Sequence, residues 1–315
     1  MSLVLRSDNR ATLKNRKYRM KLDCPISQFR VATDKSVKLK KAATKIDPLY
    51  SSDHDYENKL ANYRAEIAHW QSVLYAGQQQ SLLLIFQGMD SAGKGGAIRH
   101  VMSGINPQGC QVHSFGRPSE EELAHDYLWR CLIRLPRRGM IGIFDRSYYE
   151  EVLVVRVKPE VLAAQSLPAS LVQQKNFWKD RYNDIRHHES YLHRNGTKIV
   201  KFFLHLSADE QRSRLLARIE DPEKSWKFRL GDLDCRNHWA GFQKAYQECL
   251  EQTSTTESPW YIVPADDKRN ARLIVSQVIL QTMQKMDLKF PTASSALVQD
   301  LATARKLLQD EAAAH

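Results

Sequence analysis

The stretch GMDSAGKGG, residues 88–96, directly follows an apolar run, SLLLIF, at 81–86. Gly88, Gly93 and Lys94 stand at the G-x-x-x-x-G-K spacing of a phosphate-binding loop, but Gly95 occupies the place of the Ser or Thr whose hydroxyl normally binds magnesium. Composition alone produces such a pattern in roughly one chain in ten of this length, so the spacing by itself is weak. Its context makes it strong. An apolar strand leads in and a helix through Ile98, Val101 and Met102 leads out. Backbone N–H groups of Ser91, Ala92, Gly93, Gly95 and Gly96 can then close on phosphate oxygens at a helix N-terminus, with Lys94 paired to the transferred group.

Strand and helix keep alternating on either side. Ser51, Ser52 or Asp53 can cap a helix whose Leu60, Tyr63, Ile67, Trp70 and Leu74 form one apolar stripe, ended at Gly77. CQVHSF (110–115), MIGIF (140–144), KIVKFFLHLS (198–207) and WYIVPA (260–265) read as further strands. Helices are predicted from Ser119, over about 169–194, through Leu215, Leu216 and Ile219, and over 270–286. About five strands alternating with helices predict an α/β fold with one doubly wound parallel sheet.

Asp145 leaves the end of the strand 140–144, where a Walker-B carboxylate belongs, and Asp90 lies inside the loop itself. With no hydroxyl at Gly95, these two carboxylates are the candidate oxygen ligands for Mg²⁺, reaching it from two sides, and orienting or deprotonating the attacking phosphate is the alternative role for Asp90. Arg117, Arg130 and Arg146 lie at or near strand ends. Arg214, Arg218, Lys224, Lys227 and Arg229 crowd a polar segment between two helices that reads as a lid closing over phosphates.

The bulk composition agrees with a polyanionic partner. The 315 residues carry a formal charge of +11, much of it before residue 46. No apolar run is long enough for a membrane helix, and MSLVLRSDNR lacks a secretory apolar core. Five scattered cysteines without a C-x-x-C predict reduced thiols and a cytoplasmic protein.

The blocks GMDSAGKGGAIRHVMSGINPQGCQVHSF, EELAHDYLWR, IGIFDRSYYEEVLVVRV, DPEKSWKFRLGDL and TSTTESPWYIVPADDKRNARL, in that order, resemble the polyphosphate kinase 2 family, most closely its class III branch. The chain has Asp145 where many class III sequences have Asn, and Gly95-Gly96 where Asp-Gly is common in that branch. The resemblance implies a P-loop kinase-like three-layer sandwich with a helical lid, and assembly as a homodimer or homotetramer. It also implies Mg²⁺, with Mn²⁺ as the alternative ion, and phosphoryl transfer between inorganic polyphosphate and AMP or ADP. By position it assigns Asp90 and Lys94 to the family's P-loop pair, and Asp145 and Arg146 to its Walker-B pair; Arg117, Arg130, Arg218, Lys224 and Lys227 are the further phosphate or nucleotide contacts expected. The domain plan is a basic, partly mobile arm over 1–45, a phosphotransferase domain over 46–290 with its lid at about 208–236, and a peripheral tail over 291–315. An ATP-dependent nucleoside-monophosphate kinase would share loop, sheet and lid. A nucleic-acid-binding protein with a degenerate loop would explain the charge but not Asp90, Asp145 and the lid, so neither nucleic acid nor membrane is an expected partner.

Overall fold

The structure is a computed structural model that describes residues 25–33, 36–223, 225–228 and 231–313. Lys224, Arg229 and the Lys227 side chain lie outside the described residues, as does the arm over 1–24. Five strands form one parallel sheet: β1 (Ser81–Gln87), β2 (Cys110–Ser114), β3 (Ile141–Asp145), β4 (Thr197–His205) and β5 (Trp260–Pro264), in the order β2-β3-β1-β4-β5. Every residue of β1 is buried, as its unbroken apolar run requires of a central strand covered on both faces. Its side chains divide by period two between the layers.

Leu82, Leu84 and Phe86 face a layer made by helices α1 (Asp53–Gly77), α2 (Lys94–Val101) and α6 (Lys268–Gln284). Leu83 and Ile85 face the other, made by the turn at 148–152 with helices α3 (Phe177–Arg194) and α5 (Trp239–Thr253). This is the expected three-layer α/β sandwich. Helix α4 (Ala208–Glu220) follows β4, and an exposed helix α7 (Ser295–Ala313) forms the tail.

The sequence signals fix most element starts. Ser52 caps α1 by accepting from the Asp55 amide at 3.1 Å, and Ser119 with Glu122 forms a reciprocal capping box. Gly77 does end α1, yet the left-handed residue is Gln78 (φ 48°). Gly77 is small for a different reason, since a Cβ there would lie 3.1 Å from the Lys289 carbonyl oxygen.

Three expectations are revised. The helical region 169–194 is broken into a single turn at Ala169–Val172 and then α3. Helix α5 was not anticipated, although Phe242, Ala245, Tyr246, Cys249 and Leu250 carry its buried stripe at helical spacing. Residues 25–31 are no free arm: Ile26, Phe29 and Val31 are buried, and Arg30 bridges to Tyr261, covering the outer edge of β5.

Candidate active site

Topology decides where the chemistry collects. The connection after β1 runs toward β2 and the one after β4 toward β5, so the two central neighbours diverge and open a crevice at their carboxyl ends. The loop 88–93 fills it. Gly88 (φ 157°) packs so closely on β4 that a Cβ would lie 2.9 Å from the Leu204 carbonyl oxygen, which excludes any larger residue. Gly93 (φ 97°) is the left-handed N-cap of α2 and leads straight into Lys94.

Lys94 is buried, and its ammonium donates to the carbonyl oxygens of Gly88 (2.8 Å) and Met89 (3.5 Å). Burial and then the nearby Arg146 lower its proton affinity, while Asp145, Asp90 and Glu150 act in the opposite sense. Asp90 accepts from Arg146 at 2.8 Å. Burial opposes ionisation of Asp90, but Lys94, Arg146 and a hydrogen bond from the Cys235 thiol outweigh it and hold its carboxyl below the ordinary value. Cys235, pushed up to about 12 by burial and by Asp90, stays a neutral donor.

Asp145 ends β3 in register with Phe86, one residue short of the end of β1. Its Oδ2 lies 3.8 Å from the place where a Cβ on Gly95 would sit. The carboxylate thus faces the position left by the missing P-loop hydroxyl.

Next comes Arg146 in a left-handed conformation (φ 66°), with its amide donating to the Phe86 carbonyl oxygen at 3.0 Å. A non-glycine residue held there costs on the order of 1–3 kcal/mol and points to a position fixed for function. Glu150, 3.8 Å from the guanidinium, is the main influence raising the Arg146 pKa, with burial opposing and Asp90 and Asp145 adding. Burial pushes the Glu150 carboxyl up, against the pull of Arg146 and Lys94. Two cations and three carboxylates therefore meet at the crevice.

The remaining predicted residues separate. Arg218 lies near enough to favour the ionised form of Asp90. Arg117 is exposed at the rim of a cleft of about 390 Å³ that runs from Arg146 past Tyr127 and Val155 to Lys158. Arg130 lines the same cleft but is already engaged. It donates to the Gly116 carbonyl oxygen at 2.9 Å, lies over Phe115 and approaches Glu122 at 3.5 Å.

Sequence reasoning missed the outer support of the loop. Gln211 donates to the Asp90 carbonyl oxygen at 2.9 Å, and Arg214 donates to those of Ser91 and Ala92, each at 3.1 Å. Arg214 also holds the carbonyl oxygens of Ala265 (2.6 Å) and Asp266 (3.0 Å), so this cation ties the loop to the segment that follows β5. The first half of the expected lid is thereby tied to the loop. Glu150 was missed too, although its signal was present: a carboxylate four residues beyond Arg146.

A parallel sheet ordered 2-3-1-4-5, a lysine-bearing glycine loop after the central strand and an Asp-Arg pair after its neighbour define a P-loop phosphotransferase. A sequence profile of the polyphosphate kinase 2 family matches residues 50–291, and the chain belongs to that family. It is 53% identical over 281 residues to an ADP-polyphosphate phosphotransferase of Rhodopseudomonas palustris, covering 89% of this chain and 97% of that one. It is 45% identical over 242 residues to an AMP/ADP-polyphosphate phosphotransferase of Meiothermus ruber, covering 76% and 86%. The crystal structure of polyphosphate kinase 2 from Arthrobacter aurescens superposes with a TM-score of 0.79 at 36% identity, covering 91% of this chain and 99% of that one. Among the described residues, no helix is long and apolar enough to cross a membrane.

Proposed function

We propose that this chain moves terminal phosphoryl groups between inorganic polyphosphate and adenine nucleotides, converting ADP to ATP and AMP to ADP. The observation that carries the reading is the convergence of Lys94, Arg146, Asp90 and Asp145 at the mouth of a glycine loop, in a member of the polyphosphate kinase 2 family. Polyphosphate is the donor held along the loop, and the nucleotide is the acceptor in the cleft from Arg146 to Lys158.

The attacking phosphate oxygen is already negative, so the reaction needs alignment and charge neutralisation more than a strong base. Lys94 and the loop amides grip the donor. Arg146 neutralises charge between donor and acceptor, with Arg117, Arg218, Lys224 and Lys227 as further phosphate contacts. The part of the lid beyond Leu215 closes over them and excludes water.

Asp90 and Asp145 are the two residues that would hold a divalent ion. Among the described residues, no group of three or more His, Cys, Asp or Glu side chains forms a protein cage. That suits Mg²⁺, with Mn²⁺ as the alternative, which takes one or two carboxylates and completes its shell with phosphate oxygens and water. When bound, the ion supplies charge neutralisation on the transferring group.

The deciding experiment incubates purified protein with Mg²⁺, long-chain polyphosphate and either ADP or AMP, and separates the nucleotides by chromatography. ATP from ADP establishes the donor, and ADP from AMP establishes the wider acceptor range. Turnover only with ATP and a monophosphate would replace this reading with an ordinary nucleotide kinase.

The +11 charge predicts a salt effect. Binding a chain with about one charge per phosphate releases counterions, as nucleic-acid binding does, so KM for polyphosphate should rise roughly tenfold or more between 50 and 200 mM salt. A KM flat across that range would refute a charge-driven channel. The homodimer or homotetramer implied by the family is tested by light scattering on the full chain.

A further inference from the structure

The layer beneath the Arg146 turn holds a charged network that the transfer reaction does not use. Lys201, on β4, and Glu189, on α3, are both fully buried and form an ion pair at 2.5 Å. The second oxygen of Glu189 accepts from both Tyr148 (2.9 Å) and Tyr149 (2.8 Å). Lys201 donates to the Tyr149 hydroxyl at 2.9 Å and to the Thr253 carbonyl oxygen at 2.8 Å. Lys201, Glu189 and both tyrosine hydroxyls each have a partner inside the network. The tyrosines are held by their rings as well, Tyr149 on Trp260 at 4.8 Å and Tyr148 on His188 at 5.6 Å.

Such a network is a poor way to gain stability. An interior filled with apolar residues of similar volume is often as stable or more so, because both charges must be stripped of water. Its location suggests another use. Tyr148 and Tyr149 lie two and three residues beyond Arg146, whose left-handed backbone must be held against relaxation. Upstream, the β3 ladder and the Arg146 amide bond to Phe86 pin the turn. Downstream, the two phenol hydroxyls pin it to Glu189. Lys201 pairs in register with Ile85 of β1, so the anchor's lysine sits on the strand adjacent to the one that leads into the phosphate loop.

We propose that Glu189 and Lys201, acting through the hydroxyls of Tyr148 and Tyr149, are positioning residues that fix Arg146 opposite the phosphate loop. The inference rests on Arg146 being a phosphate contact, as proposed above. Removing the tethers lets Arg146 relax away from the transferring group, which lowers kcat and leaves the substrate-gripping loop intact.

The test is the Tyr148→Phe/Tyr149→Phe enzyme, which keeps both rings and the Glu189–Lys201 pair but loses both hydroxyls. Expected is a kcat, per folded enzyme, about tenfold or more below wild type, with KM for polyphosphate and nucleotide within about twofold. In an Arg146→Ala background the same tyrosine changes should leave the residual rate unmoved, because their effect runs through Arg146. A purely structural lesion would instead multiply through both backgrounds and track the melting temperature. Wild-type kcat in the tyrosine variant, with Arg146→Ala impaired, overturns the proposal. Full activity of Arg146→Ala would overturn the site assignment itself. Should the double variant fail to fold, Tyr149→Phe alone removes the hydroxyl that touches both Glu189 and Lys201 and leaves the Tyr148 bond to Glu189, so a smaller fall in kcat at unchanged KM is expected, and wild-type kcat overturns the proposal.

Discussion

Replacing Lys94 with alanine should abolish measurable transfer, a fall in kcat of about a thousandfold or more, in a protein that still folds. Removing a single preorganised donor to a developing charge costs roughly 10²–10³. Lys94 should exceed that, because it brings a full charge to the loop. It is a buried cation among Asp90, Asp145 and Glu150. Without it, three carboxylates and one guanidinium would confront a polyanion.

The fold should survive because Lys94 contributes little apolar packing. Its ammonium bonds are to two loop carbonyl oxygens, and the loop is braced separately by Gln211 and Arg214. The melting temperature should therefore stay within a few degrees of wild type. Lys94→Arg should not rescue turnover, since a planar fork cannot replace a compact ammonium in a closed loop. Steady-state ATP formation from ADP and polyphosphate, alongside a thermal melt, checks both halves. An active Lys94→Ala enzyme would remove the lysine from the mechanism.

What could be read from the chain alone follows from how local each signal is. The central strand, the loop and Asp145 announce themselves within a few residues, because burial on both faces demands an unbroken apolar run and phosphate contact demands glycine. Gln211, Arg214 and Cys235 carry no comparable mark. They reach the loop only because β4 is the neighbour of β1, so the chain that follows β4 starts beside residues 88–93. Arg214 shows the limit most clearly. In sequence it is one more cation of the lid, yet it donates to four backbone carbonyl oxygens, two in the loop and two just after β5. Lys201 was legible only as an interruption in an apolar strand, since its partner Glu189 arrives from α3 and its other contacts from the Arg146 turn and α5.

The Asp145 position yields the second large effect. A P-loop enzyme without the usual hydroxyl must hold its divalent ion otherwise, and Asp145 Oδ2 lies 3.8 Å from where a side chain on Gly95 would begin. Asp145→Ala removes that oxygen altogether and should lower kcat by roughly 10²–10³, with half-activation shifted to higher Mg²⁺. Asp145→Asn keeps an oxygen ligand while losing the charge, so it should lose no more than about tenfold. If the hydroxyl and the carboxylate are alternative solutions to one problem, Gly95→Ser in the Asp145→Ala background should recover part of the loss. The open space next to Gly95 admits a serine without disturbing α2, because Gly95 carries no positive φ and nothing lies closer to its Cβ position than that carboxylate oxygen. Mg²⁺ titrations of the four enzymes measure this directly. Asp145→Ala with wild-type rate and wild-type Mg²⁺ dependence would leave Asp90 as the protein's ligand, and the hydroxyl's role would then have passed to the loop itself and not to the neighbouring strand.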